Sequence, residues 1–557
     1  MIIDLDADGR TDLDGFDVCI IGSGPAGATV ASELRGDGLK ICVLESGRQR
    51  RTRHADALKE VTSTGIHVKD YSRERLLGGA STTWAGLSSP FDPVDFLQRK
   101  GIPHSGWPIT RDQLLPYYEQ AAERYRFPRA AQFGPDGFAK LRPKGDLQPE
   151  WKGVDEKVFL AAAEPQNFGT ECKDTWAADK VELFLDATVS ELLSESGTRR
   201  IAAAVVRTRS ERTVRVRAKA FVLAAGGIEN ARLLLLSRDL CPAGLGNEHD
   251  CVGRYFMNHP KNYLGFLHFE PPVQELPYYF GCLSGGYAGY AGLRLPEPEL
   301  EQQGLLNSYI RLEPMFPWTD NRGIEALVLF VKRSQVLFAF WKKRHKDDVV
   351  ELRDYSETGD DSDLQNADKG WWEWFGLLGT ILWNSPRVAQ YLFFRLSKRK
   401  PRIRRARVRN FMEMEPTPDN RVELGEVEDA YGSPRAHITH VCTELDERSL
   451  VRLHQRLAEA VPASGIGRFE SDLATTKPWP ITQDASHHMG TTRMGEDPLT
   501  SVTDSNGRLH SVDNVYVAGA SVLPTSGCAN PTFTLVALGI RLAEHLRDQL
   551  GASPNHG

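Results

Sequence analysis

Phe16-Asp17-Val18-Cys19-Ile20-Ile21-Gly22-Ser23-Gly24-Pro25-Ala26-Gly27 decides how the N-terminal part of this chain folds. Val18 to Ile21 is a short apolar run, the composition of a buried strand. It runs straight into Gly22-x-Gly24-x-x-Gly27, and the following residues put Ala26, Val30 and Leu34 on one helical face. Gly36-Asp37-Gly38 turns the chain into a second apolar strand, Ile41 to Leu44, which ends in Glu45. Glycines at this spacing permit a tight turn and let the backbone approach a pyrophosphate at the helix start. Glu45 lies 18 residues after Gly27, where an acid accepts hydrogen bonds from a ribose diol. Strand, helix, second strand and acid together read as a dinucleotide-binding unit. The motif does not distinguish NAD from FAD.

Two later stretches complete this picture. Val181 to Leu192 reads as a strand, alternating strands follow over 202–216, and Phe221 to Ala224 enters a helix through Gly226-Gly227. A second strand–glycine–helix crossing so far from the first implies a nucleotide lobe assembled from separated pieces. That favours FAD, whose flavin half needs walls from elsewhere in the chain. Near the far end, His487-His488-Met489-Gly490 precedes a strand, Val515 to Ala518, that meets Gly519. The loop after it ends in Asn530-Pro531-Thr532 ahead of an apolar helix. Asn at the cap and Pro at the first helical position are start signals. Free N–H groups and a partial positive charge at such a helix start stabilise negative charge in front of it.

Composition bounds the rest. At 557 residues, two or more joined lobes are expected. A net charge of −6 with both signs mixed argues against a nucleic-acid-binding protein. The eight cysteines form no C-x-x-C pair and no metal-ligand spacing, and read as small buried thiols in a reducing compartment. The N-terminus shows no signal-peptide pattern, and the apolar run 374–386 is too short to span a bilayer, so a cytoplasmic location is expected.

The Gly-, Ser- and Thr-rich stretch from Arg73 to Pro90 reads as a loop held close to something. Thr110 caps an amphipathic helix that reaches Tyr125. Residues 255–475 have longer polar loops and aromatic clusters, the texture of a substrate lobe. Within them the acidic stretch Asp354 to Lys369 lacks periodicity. Leu327 to Trp341 and Trp371 to Leu396 read as helices packing on their own lobe, the other reading being a lid, a partner surface or a membrane-surface contact. Lys398 to Arg409 holds eight basic residues in twelve, with Arg405, Arg407 and Arg409 alternating with Ala406 and Val408. This predicts a strand with one solvated face, Phe411 and Glu413 continuing the arginine side and Met412 and Met414 the other.

Gly22–Gly27 with Glu45, the Gly78-Gly79-Ala80-Ser81-Thr82-Thr83-Trp84 loop, Val252-Gly253-Arg254-Tyr255-Phe256-Met257-Asn258-His259-Pro260, and the H-x-M-G, A-G-A-S and N-P-T segments resemble the glucose–methanol–choline (GMC) oxidoreductases. The matches run from residue 17 to about 547 in that family's order, and Asn at the second catalytic position is similar to the pyranose-oxidase and glycoside-3-dehydrogenase-like branch. The resemblance implies an α/β two-lobe flavoprotein: a discontinuous Rossmann-like FAD-binding domain (1–110, 155–255 and 475–557), an α+β sheet-and-helix substrate domain (256–474) and a connector (111–154). It places His487 on the catalytic histidine and Asn530 on its partner. It places FAD against Gly22, Gly24, Gly27, Glu45, Gly79, Ser81, Thr83, Trp84, Val189, Gly226, Gly519, Ala520, Pro531 and Thr532, with no metal. In pyranose oxidases the third residue of S-T-x-W is a histidine bonded to the flavin; here it is Thr83, which implies non-covalent FAD.

The chemistry implied is oxidation of a secondary or primary alcohol of a sugar, glycoside or related polyol. Neutral imidazole takes the hydroxyl proton while hydride passes to flavin N5. His487 is the expected base and His488 its structural neighbour, because adjacent side chains on an extended segment point apart. Electrons leave to oxygen, a quinone or a partner protein, and a homo-oligomer or a small partner subunit is compatible with the chain. A non-redox flavin lyase on the same fold, an NAD-dependent dehydrogenase and a non-catalytic subunit remain the other readings.

Overall fold

Asp12–Ile21, Ile41–Leu44 and Thr213–Leu223 lie side by side and parallel, and their apolar runs Val18–Ile21, Ile41–Leu44 and Ala220–Leu223 are buried on both faces, with cover above and below. The computed structural model describes residues 1–142, 147–162, 164–279, 287–334, 337, 371–397, 399, 401–480 and 486–552. The sheet built on these strands has eight members: Ile2–Asp4, Val181–Leu185, Ile41–Leu44, Asp12–Ile21, Thr213–Leu223, Ile201–Arg207 and Thr188–Ser194 in order, with Val515–Val517 also paired to Thr213–Leu223. Only the last two strands of that path run antiparallel. The helices Pro25–Leu34 and Thr532–Gln549 pack on each other over this sheet, with Gly539 against Thr29.

The second sheet has seven strands, in the order Gly467–Glu470, Phe266–Val273, Ile403–Phe411, Tyr309–Met315, Tyr287–Arg294 and Asp155–Ala162, with Lys261–Asn262 beside Ile403–Phe411. The helix Glu444–Ala463 covers one face, its Leu450, Leu453 and Leu457 meeting Ala406, Val408 and Met412 in a second core. Two boundaries differ from the sequence expectation. Asp155–Ala162, placed at the start of a cofactor segment, is the edge strand of this second sheet, fully paired with Tyr287–Arg294. Arg421–Glu428 and Pro434–Thr439, placed in the substrate lobe, form a small sheet with Thr62–Thr64 and bury Val422 and Ile438 in the first core. Edge strands and short hairpins carry no mark of which core they join, so position along the chain misassigned both.

Ile403–Phe411 alternates as expected, and its arginine face is covered by aromatic rings and only partly open to solvent. Arg405 lies over the Phe266 ring at 3.5 Å, Arg407 over Tyr263 at 4.5 Å, and Arg409 is buried between Tyr263 and Phe411 at 5.3 Å from each. Glu313 on the neighbouring strand pairs with Arg311, Arg407 and Arg409. The helices Arg322–Arg333, Trp371–Trp383 and Ser385–Ser397 form a satellite with its own small core of Trp318, Ile324, Val388 and Tyr391. The acidic stretch Asp354–Lys369, the end of the aromatic stretch at Trp341, and Cys282 lie outside the described residues.

A buried ionic network joins the second sheet to the segment 92–99. Asp92 lies 2.7 Å from both Lys157 and Arg294, Asn307 donates to Asp92 and Asp95 at 3.0 Å each, and Arg99 grips Glu413 with bonds of 2.6 and 2.9 Å. Burial, then the neighbouring Asp92 and Glu413 charges, push the Asp95 carboxyl up to about 7. Such a network adds little over an apolar core, yet breaking one member leaves a buried charge uncompensated. Arg99→Met is therefore expected to lower stability by about 3–5 kcal/mol; urea unfolding followed by tryptophan emission would measure it.

Candidate active site

Strand register brings the distant motifs together. Gly22 N–H donates to Leu44 O (2.8 Å), Ala224 N–H to Ile21 O (2.8 Å) and Ala518 N–H to Leu223 O (2.8 Å). The carboxyl ends of four parallel strands therefore lie level, and Gly22, Glu45, Gly226 and Gly519 follow directly on them. Open α/β sheets bind ligands at that edge. Gly22 has φ +108°, and a Cβ there would stand 2.6 Å from Ala224 O. A Cβ on Gly27 would collide with Gly22 O, so the helix Pro25–Leu34 presses directly on the turn, with Gly24 at its N-terminus. Gly79 backs onto Gly24, 3.0 Å from its Cα to the position of a Cβ, in the short 3₁₀ turn Gly79–Thr82.

Glu45 is buried and accepts from Ser23 N (3.1 Å), Ser23 Oγ (2.6 Å) and Gly47 N (2.8 Å), while burial raises its carboxyl above the usual range. Val189 is the second residue of the strand Thr188–Ser194, which follows directly on Ala187, whose N–H donates to Glu45 O at 2.9 Å. Ser81 is buried and donates to Gly78 O; Trp84 Nε1 donates to Gln166 O at 2.7 Å. Thr83 is exposed, its hydroxyl donating to Tyr71 O at 2.8 Å. Ala520 opens the 3₁₀ turn Ala520–Val522 after Gly519. Glycine backbones in contact, a helix N-terminus and a buried acid form a cradle that Cβ atoms would fill, and these residues fit a dinucleotide.

The helix start at the other end differs from expectation. The helix runs Thr532–Gln549, Pro531 already has helical dihedrals (φ −72°, ψ −15°), and no side chain caps it. The Asn530 side chain turns instead to His487, with its Nδ2 3.4 Å from Nε2. The first-turn N–H groups of Thr532 and its successors thus keep no capping partner from Asn530.

His487 is set in place by an antiparallel bridge between Met257 and Met489, with N–H to O distances of 3.0 and 3.1 Å. Gly490 allows it: its φ is +84°, and a Cβ there would collide with Tyr255 O. The bridge lays His259 against His487, Nδ1 to Nδ1 at 2.8 Å, and Asn258 Oδ1 accepts from His487 N–H at 3.3 Å. His259 Nε2 faces two carbonyl oxygens, Ser526 O at 3.2 Å and Gly527 O at 2.9 Å. Carbonyls only accept, so His259 Nε2 carries the proton and its Nδ1 is the acceptor. His487 then donates from Nδ1, and its Nε2 lone pair faces Asn530. Burial, then the neighbouring His259 and Lys261 charges, push His487 well below its ordinary value, and burial pushes His259 down to about 4. Both rings are neutral at physiological pH. His488 is turned the other way, stacked on Phe256 at 6.2 Å between centroids.

Sequence reasoning named His487 and Asn530 but gave His259 no role, although the quoted nonapeptide ends in it. It also passed over Asn230, whose Oδ1 accepts from Ala225 N–H (2.9 Å) and whose Nδ2 donates to Ser521 Oγ (3.0 Å), tying two of the level loops together.

With this geometry in view, residues 17–243 match the FAD dependent oxidoreductase family and residues 416–539 match the GMC oxidoreductase family. The chain carries a GMC oxidoreductase domain. It is 27% identical over 598 aligned positions to a 6'''-hydroxyparomomycin C oxidase of Streptomyces lividus, covering 96% of this chain and 92% of that one. It is 24% identical to a paromamine 6'-oxidase of Streptomyces fradiae, covering 98% and 93%. Its fold matches a formate oxidase of Aspergillus oryzae with a TM-score of 0.52 at 15% identity, over 97% of this chain and 99% of that one. The chain is an FAD-dependent oxidoreductase that acts on CH–OH groups. Gly22→Ala is expected to lower the flavin-to-protein absorbance ratio of the purified enzyme markedly, since the new Cβ meets backbone on one side and a strained φ on the other.

Proposed function

We propose that the alcohol oxidised is a hydroxyl of a sugar or glycoside, with His487 as its proton acceptor and Asn530 as the donor that holds its oxygen. The observation that carries this reading is the chain Gly527 O, His259, His487, Asn530, in which the unprotonated Nε2 of His487 faces the Asn530 amide. A substrate hydroxyl between Nε2 and the Asn530 amide would give its proton to the first and accept from the second. The names of the two aminoglycoside oxidases that align with nearly the whole chain support the substrate class.

FAD, when bound, supplies the hydride acceptor. The proposed cradle for it is Gly22, Gly24, Gly27, Glu45, Gly79, Ser81, Trp84, Val189, Gly226, Gly519 and Ala520, with Pro531 and Thr532 presenting the helix start. Thr83 carries no group that bonds to a flavin carbon, so the cofactor is read as non-covalent: acid precipitation should leave the yellow colour in the supernatant, and colour in the pellet would remove this point. His259 is a positioning residue, holding His487 in the tautomer that leaves Nε2 unprotonated.

Anaerobic mixing with monosaccharides, O- and C-glycosides and aminosugars tests the substrate class, and a flavin that bleaches with none of them would sink it. His487→Ala should retain FAD and slow flavin reduction by at least about 100-fold. The pH profile follows from the sign of the shift. A base depressed below its ordinary 6.5 is already neutral above that pH, so the rate of flavin reduction should rise with pH only below 6.5 and stay flat above it. In His259→Ala the acid limb should move and the rate fall, whereas a purely structural loss would leave the limb where it was.

A further inference from the structure

Among the described residues sixteen large apolar side chains are exposed, and eight of them lie between residues 337 and 396. On the helix Trp371–Trp383 they recur with helical spacing: Trp372 is 71% exposed, Phe375 59%, Leu382 70% and Trp383 89%. Gly376 and Gly379 lie on the same stripe. The other side packs inward, Trp374 edge-on to Phe330 at 5.0 Å and Ile381 against the satellite core. The next helix adds Phe393 and Leu396, 53% and 60% exposed. A side chain nine-tenths exposed stands proud of a convex surface, so this is a ridge and not a groove.

Charge narrows the partner. Between 371 and 404 the sequence has seven Lys and Arg residues and one acid, in a chain of net charge −6. That acid, Glu373, pairs with Arg333 at 3.1 Å, while Arg387, Arg399, Arg402 and Arg404 are exposed. A symmetric contact with a second copy would set this cationic strip against itself. Tryptophan and leucine on a ridge, flanked by arginines, suit the boundary between acyl chains and anionic headgroups. Among the described residues no helix is long and apolar enough to cross a membrane, so such an element would lie in the plane of the surface.

We propose that the pair of helices spanning 371–397 docks the enzyme on an anionic lipid surface, the Trp372, Phe375, Leu382 and Trp383 stripe entering the headgroup boundary and the adjacent arginines meeting the headgroups. The experiment is co-sedimentation of the FAD-loaded full chain with vesicles of phosphatidylcholine alone and of phosphatidylcholine mixed with phosphatidylglycerol. The expected result is binding to the mixed vesicles, weakened by salt, with a blue shift of tryptophan emission. The double variants Leu382→Ser with Trp383→Ser, and Arg399→Glu with Arg402→Glu, should each bind at least about tenfold more weakly. Both should keep their flavin and their turnover with a water-soluble acceptor. If the serine variant fails to fold, the charge variant on exposed arginines carries the test. A wild-type chain that stays in the supernatant with both vesicles, or variants that bind as well as wild type, would overturn the proposal. So would a wild-type oligomer that the serine variant turns into a monomer, which would assign the ridge to a second copy.

Discussion

Two backbone carbonyls, those of Ser526 and Gly527, set the protonation of a pair of imidazoles that meet edge to face. They can only accept, so the proton of His259 sits on the nitrogen facing them, and every later donor and acceptor in the chain follows from that. The carbonyls are themselves held by the buried network below. Thr525 donates to Asp95 O at 2.8 Å, Trp107 donates to Thr525 at 2.8 Å, and a Cβ on Gly527 would stand 2.7 Å from the Asp95 carboxylate. The ion pairs between the second sheet and residues 92–99 thus fix a loop whose orientation selects a tautomer some distance above them.

The glycine fingerprint, the two strand–glycine crossings and the C-terminal strand were legible in the sequence because each is local. An apolar run, a glycine at a fixed offset and a helix face need no knowledge of partners. His259 was not legible in the same way. Its role comes from the Met257–Met489 bridge, which joins segments over 200 residues apart, and no periodicity marks an isolated bridge. Asn530 shows the limit of a local rule. Its residue type suits a helix cap, but a neighbour from elsewhere in the fold takes the side chain and leaves the helix uncapped. Asp155–Ala162 and the pair Arg421–Glu428 and Pro434–Thr439 failed for a related reason: which core a strand joins is decided by its partners.

The two faces of the second sheet solve different problems. The helix Glu444–Ala463 gives one face an ordinary apolar core. The other carries arginines whose guanidinium groups lie flat on Tyr263, Phe266 and Phe411, so that the charge keeps an aromatic surface and Glu313 as company once water is removed. Lys261 reaches over Phe411 at 5.5 Å and is close enough to His487 to help depress it. Lys261, on the short strand paired with Ile403–Phe411, is therefore part of the electrostatic surroundings of His487.

The strand Val515–Val517 completes a sheet whose other members are all made within the first 223 residues. On the ribosome, one flank of Phe221–Leu223 must stay open until nearly the whole polypeptide has been synthesised, while Thr213–Val216 on the same strand already pairs with Ile201–Arg207. That unpaired edge is a template for wrong pairing. Codon pace and chaperone capture during translation, more than the stability of the finished molecule, would then govern how much enzyme a cell recovers.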